Sequence, residues 1–103
     1  MKKVVEIDNR AIREINTFDL EVKEKITAAF DALERDGFLY EPYAKRITKE
    51  LFEIRVSHRG QWRVLYAYFA EKKIIILSAF HKKTQKTPEK EIKKAFKRLK
   101  QHI

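Results

Sequence analysis

From Leu51 onward the hydrophobic pattern has a period of two, and no other feature constrains the fold of this chain as much. Three strand-like runs succeed each other, Leu51 to Ser57, Gln61 to Ala70 and Lys73 to Phe80, joined by connections short enough only for antiparallel neighbours. His58-Arg59-Gly60 reads as a three-residue hairpin loop, with glycine where a type I turn plus G1 bulge needs positive φ. The second turn centres on Glu71-Lys72. The first loop sets a register in which Ser57 faces Gln61, Val56 faces Trp62 and Arg55 lies directly across from Arg63.

The rest of the chain supplies the covering layers. Lys3 to Asp8 has the β-branched content of a first strand. Ala11 and Ile15 predict a short helix, a break falls near Thr17 to Asp19, and Val22, Ile26, Ala29, Phe30 and Leu33 mark one face of a second helix. Gly37 is placed to end that helix in a left-handed conformation, and Tyr40 to Lys49 reads as irregular. After the meander, His81 to Lys86 reads as a cationic loop. Thr87-Pro88-Glu89 then has an N-cap residue, a proline at the first helical position and acid in the first turn. In the final helix Ile92, Phe96, Leu99 and Ile103 form a narrow stripe, while Lys90, Lys93, Lys94, Lys97, Arg98 and Lys100 cover the remainder. The predicted fold class is α+β: an N-terminal strand, two helices packed on an antiparallel β-meander, and a basic C-terminal helix. At 103 residues and 44% apolar content, one domain over 1–103 is expected.

Several function classes drop out. Without cysteine there is no thiolate nucleophile, disulfide framework or cysteine-bearing zinc site, and the three scattered histidines lack ligand spacing. No metal or other cofactor is expected. The first residues reach Glu6 before any apolar leader can form, and runs such as Ile74 to Phe80 are far short of a membrane span. A cytoplasmic protein without a membrane partner is the expectation.

The charge is one-sided. Residues 1–51 carry 10 Lys+Arg against 11 Asp+Glu, whereas residues 52–103 carry 14 against 4, so the second half holds all the excess of a +9 chain. Such asymmetry favours a polyanionic partner, although a lysine-rich helix can also be no more than a solvated face. A site must decide. Arg55 and Arg63 as a cross-strand pair repel unless an anion sits between them, and Glu53, two residues along the same face as Arg55, is the candidate clamp. The opposite face collects Phe52, Ile54, Val56, Trp62, Val64, Tyr66 and Tyr68, suited to pack on the N-terminal helices, which leaves the arginine face open. His81, Lys82 and Lys83 at the end of the third strand are expected near Arg63.

Leu51-Phe52-Glu53-Ile54-Arg55-Val56, the run Trp62 to Phe69, and above all Phe80-His81-Lys82-Lys83-Thr84-Gln85-Lys86-Thr87-Pro88 resemble the RelE/ParE superfamily in its HigB-like, phage-derived branch. The resemblance spans essentially the whole chain. It implies a ribosome-dependent mRNA interferase, the toxin half of a type II toxin-antitoxin pair. It also implies an antitoxin with a helix-turn-helix domain, and contacts to mRNA on the ribosome and to ribosomal RNA. Carried over by position, Arg63 matches the arginine that contacts the scissile phosphate, Arg55 the cation of the preceding strand, and Lys82 and Lys83 the basic pair closing the last strand. Lys45 resembles a basic position on the approach to the meander. Arg59, Lys86, Lys90 and Lys94 join it as candidate RNA-binding residues. The sequence departs from the pattern in having no tyrosine after Tyr68, where some relatives carry a catalytic one, and in Lys49-Glu50 replacing a glycine-containing turn.

The implied chemistry needs few parts, because RNA brings its own nucleophile in the 2′-hydroxyl. The protein must align it, stabilise the dianionic phosphorane and move two protons. Arg55 and Arg63 supply charge, and Lys82 or His81 supplies the base: a lysine among cations is acidified, and a histidine starts near neutrality. Two alternatives remain open at this level, a ParE-like gyrase inhibitor and a non-catalytic RNA-binding relative, since one fold hosts unrelated functions.

Overall fold

The computed structural model describes residues 2–103, and among them three helices and one five-stranded sheet. Strand β1 (Val4–Ile7) leads into helices α1 (Asn9–Ile15) and α2 (Leu20–Asp36). Strands β2 (Ala44–Arg46), β3 (Phe52–Ser57), β4 (Gln61–Phe69) and β5 (Lys73–Lys82) follow, and α3 (Glu89–His102) comes last. The Asp8 carboxylate starts α1 by accepting the Arg10 N–H at 2.8 Å. Gly37, at φ 84°, ends α2 and donates its N–H to the Leu33 carbonyl at 2.8 Å, as the sequence predicts.

The sheet order is β1-β5-β4-β3-β2. The β3-β4-β5 meander has the register expected from the hairpin loop, with Ser57 opposite Gln61, Val56 opposite Trp62 and Arg55 opposite Arg63. Positive φ is needed at two loop positions rather than one, 50° at Arg59 and 137° at Gly60. The sequence reading leaves the pairing of β1 open, and two of its expectations are corrected. β1 lies parallel to β5, so the sheet as a whole is mixed. The stretch from Tyr40 to Lys49 contains β2, antiparallel to β3 and too short at 3 residues for a two-residue period to register. His81 and Lys82 belong to β5 rather than to a loop, because Trp62 and Gln61 continue to pair with them.

Helices α1 and α2 cover one face of the sheet, where Ala11, Val22, Ile26 and Leu33 meet Ile54, Val56, Val64 and Tyr66. The other face is not simply open: Ala95 and Leu99 of α3 pack on Leu51, Leu65, Ala67, Ile75 and Leu77. The buried stripe of α3 also differs from the one read in the sequence. Arg98 and Glu91 turn inward, and Ile103 stands 81% exposed. Arg98 meets a bulge in β5, where Leu65 pairs with Ser78 but Tyr66 with Ile76, leaving Leu77 without a partner. The Arg98 guanidinium donates to the Leu77 carbonyl at 2.9 Å and holds Glu14 at 2.9 and 3.0 Å, while Glu14 accepts the Ala79 N–H at 3.1 Å. The Leu77 carbonyl and the Ala79 N–H, both past the end of the β1–β5 pairing, are thereby satisfied by side chains from two helices. Thr87 does not cap α3: Pro88 holds that position without a side-chain bond, and the Thr87 hydroxyl donates to Glu53 instead.

Candidate active site

Alternation along β3 and β4 puts Glu53, Arg55, Gln61 and Arg63 on the α3 side of the sheet, toward the end that the helix leaves uncovered. Glu53 is fully buried, and its Oε1 lies 3.4 Å from Nε of Arg55 and 3.4 Å from Nε of Arg63. Its other oxygen takes the Thr87 hydroxyl. Glu53 therefore clamps the arginine pair, as its spacing predicts, and Thr87 is the support that sequence reading missed. The Thr-Pro dipeptide signals a helix start so well that it conceals the second role.

The two arginines are not equivalent. Arg63 is nearly buried, with 8% of its side chain exposed against 32% for Arg55. It donates to the Trp62 carbonyl at 2.9 Å and to the Gln61 amide oxygen at 3.2 Å, and that oxygen also accepts the Ser57 hydroxyl at 3.0 Å. Its Nε has only the ion pair with Glu53, without hydrogen-bond geometry. Burial lowers the pKa of Arg63 and Glu53 opposes that, while Arg55 adds to the lowering. A guanidinium stays charged throughout, so the lowering marks a charge stripped of water by burial that Glu53 only partly compensates.

Lys82 lies on the same face, opposite Gln61, and Lys45 stands opposite Glu53 across the β2–β3 ladder. Burial lowers the Lys82 pKa; Glu53 raises it, and Arg63, Arg55 and Lys45 each lower it further. Lys45, Arg55, Arg63 and Lys82 thus surround one carboxylate. A groove of about 650 Å³ between α2 and β3 is lined by Ala28, Ala29, Leu39 and Pro42 together with Arg55 and Arg63 of this cluster.

The structure separates His81 from this group. His81 pairs with Trp62 on the helix-covered side, its ring stacked on the indole at 4.2 Å, so it does not join Arg63 as expected. One residue along a strand is enough to change faces. Lys83 is exposed just past β5, and Arg59 is exposed at the tip of the β3–β4 hairpin. Lys86 and Lys90 are exposed. Lys94 is half-buried and paired with Glu91 at 3.2 Å and Glu14 at 3.6 Å. Among the described residues no group of three or more His, Cys, Asp or Glu could hold a metal ion, and no helix is long and apolar enough to cross a membrane.

Comparison with known proteins agrees with this architecture. The family described as "Phage derived protein Gp49-like (DUF891)" matches residues 13–100. A search of curated proteins finds no significant match. Among solved structures, a mutant of the E. coli toxin RelE in the free state is similar over 100% of this chain and 99% of that one, with 16% identity and a TM-score of 0.65. The RelBE2 toxin-antitoxin complex of Mycobacterium tuberculosis matches over 80% of this chain and 100% of that one, at 20% identity and a TM-score of 0.62. The archaeal RelE-RelB complex of Pyrococcus horikoshii matches over 79% and 96%, at 21% identity and a TM-score of 0.59. The fold is that of RelE.

Proposed function

The chain belongs to the Gp49-like family of phage-derived proteins, and from that premise we propose that it is the toxin of a toxin-antitoxin pair and cleaves mRNA on the ribosome. The observation that carries this reading is the gathering of Lys45, Arg55, Arg63 and Lys82 around the buried Glu53. One carboxylate cannot neutralise four cations, so the face retains the charge to take a phosphate. In the reaction the RNA 2′-oxygen attacks the adjacent phosphorus, the bond to the 5′-oxygen breaks, that oxygen takes a proton from water, and a 2′,3′-cyclic phosphate and a 5′-hydroxyl result. Arg63, fixed by Trp62 and Gln61, and Arg55 stabilise the phosphorane charge as it develops. Lys82, acidified by burial and by its cationic neighbours, takes the 2′-hydroxyl proton. His81, on the other face, is no longer a candidate for that step.

The second partner in this reading is an antitoxin. RelE chains in the M. tuberculosis and P. horikoshii structures are held in complexes with one, which supports the assignment. The apolar groove that opens onto Arg55 and Arg63 suits a segment carrying both apolar and acidic residues. The test is incubation with translating ribosomes and primer extension on the mRNA, with cuts expected only in ribosome-bound message. Growth arrest with intact mRNA and impaired DNA supercoiling would overturn this reading in favour of a gyrase inhibitor.

A further inference from the structure

At the sheet edge that the end of β5 forms beyond β1, a cavity of about 600 Å³ lies between α1 and α3. One side of it is a built aromatic platform. The His81 ring lies flat on Trp62, with centroids 4.2 Å apart and planes 16° apart, and Phe18 backs the indole at 4.7 Å. Trp62 is pinned by its Nε1–H to the His58 carbonyl at 2.9 Å. Gly60 makes room for the imidazole, since a Cβ there would come within 2.7 Å of His81 Nε2. His81 is nonetheless exposed. A ring held flat against the protein and open to solvent is a stacking surface.

The other walls are cationic. Arg10, Arg13, Lys94 and Arg98 line the cavity against the single carboxylate of Glu14. Arg98 is spent on Glu14 and Leu77, Arg10 on Asp8, and Lys94 is shared between Glu14 and Glu91. Arg13 makes no ion pair among the described residues and is exposed. A free guanidinium, a partly neutralised ammonium and an open ring call for a ligand that is both anionic and flat. An acidic peptide would satisfy the charge but leave the ring unused.

We propose that this cavity is a nucleotide subsite for single-stranded RNA, with a phosphate against Arg13 and Lys94 and a base stacked on His81. It rests on RNA being the substrate class, but not on the cleavage chemistry. His81 and Lys82 are neighbours in β5 facing opposite ways, so a strand held at both sites passes over the end of the meander.

Trp62 is the only tryptophan of the chain and reports directly on the platform. Titration of the whole protein with a short oligoadenylate should give saturable quenching of its emission. Arg13→Glu should weaken binding about tenfold, the loss of one charged contact, and His81→Ala should remove the quenching while urea unfolding shows the variant folded. Lys72→Ala, in the exposed β4–β5 turn and away from both sites, should leave the titration unchanged. Quenching by poly-glutamate but not by oligoadenylate, or equal affinity of wild type and Arg13→Glu, overturns the proposal. Intact mRNA cleavage by an Arg13→Glu variant with unchanged affinity would overturn this subsite alone. An inactive wild type that still binds oligoadenylate would overturn the cleavage reading and leave the subsite standing.

Discussion

Arg55 and Arg63 face each other across the β3–β4 ladder and place their Nε atoms 3.4 Å from the same oxygen of Glu53. Like charges at a directly opposed pair destabilise a sheet, so the arrangement persists only because a fully buried carboxylate lies between them. Half of that charge remains unneutralised, and Lys45 and Lys82 add to it. The same relationship that threatens the fold prepares the face for an anion.

Glu53→Ala should therefore leave two close guanidinium groups without their counter-ion and cost about 3 to 5 kcal/mol, the usual penalty for breaking a buried pair from one side. Glu53→Gln keeps an acceptor for Thr87 and should cost less. Urea unfolding measures both. Equal stability of Glu53→Ala and wild type would mean that water, not Glu53, screens the arginines.

Arg63→Ala should abolish cleavage of ribosome-bound mRNA while the far-ultraviolet circular dichroism stays native. By analogy with deleting one preorganised donor at a developing oxyanion, the barrier should rise by roughly 2.7 to 4 kcal/mol. A folded variant that cuts at the wild-type rate would remove Arg63 from the chemistry.

If Lys82 is the base, the cleavage rate should rise with pH as its ammonium loses a proton. The midpoint should fall below the ordinary 10.5, because burial first and then Arg63, Arg55 and Lys45 destabilise the charged form against the pull of Glu53. Lys82→Arg keeps the charge, cannot deprotonate, and should lose that rise. A pH profile unchanged in Lys82→Arg would assign the proton transfer elsewhere.

Much of this site was legible before the structure, and the reasons are local. The three-residue loop at His58-Arg59-Gly60 decides which residues of β3 and β4 oppose each other, so the Arg55–Arg63 pair and its Glu53 clamp follow from sequence spacing alone. His81 was misplaced because the expected β5 ended at Phe80. Two further paired residues carry its side chain to the opposite face from Lys82. The parallel pairing of β1 with β5 joins residues 69 positions apart, Val4 with Lys73 through Ile7 with Ile76, and no local pattern encodes it. Arg98 turns inward to the bulge at Leu77, which a continuous apolar run from Ile74 to Leu77 hides.

Arg98 gives that bulge its own test. It ties α3 to Glu14 of α1 and to the unpaired Leu77 carbonyl, so Arg98→Met should destabilise by about 3 kcal/mol, leaving a carboxylate and a carbonyl short of partners. In a double-mutant cycle with Glu14→Gln the two changes should couple by about 1 to 3 kcal/mol. Additive losses would mean that each residue acts on β5 separately.

Asp8 links the start of α1 to the end of α3. It is only 4% exposed, binds the Arg10 guanidinium at 2.7 and 2.9 Å, accepts the Arg10 N–H, and meets His102 Nε2 at 2.9 Å. The Arg10 side chain chiefly, with His102 and the Arg10 backbone N–H, holds its carboxyl well below the ordinary 3.8, against the opposing effect of burial. A carboxylate whose pKa is depressed by folding binds protons more readily in the unfolded chain. Its contribution to stability is therefore full above about pH 4 and is lost as the pH falls toward the depressed folded value. Glu6, held down by Lys73 first, acts in the same direction from a half-buried position. Asp8→Asn should lower stability at neutral pH by about 1 to 3 kcal/mol, because Arg10 and His102 lose their charged acceptor. It should also flatten the fall in stability between neutral pH and pH ~3. Urea midpoints measured across that range for both proteins decide the matter. Parallel curves with a constant gap would mean that Asp8 caps the helix without titrating, and that the acid sensitivity of the fold lies in other carboxylates.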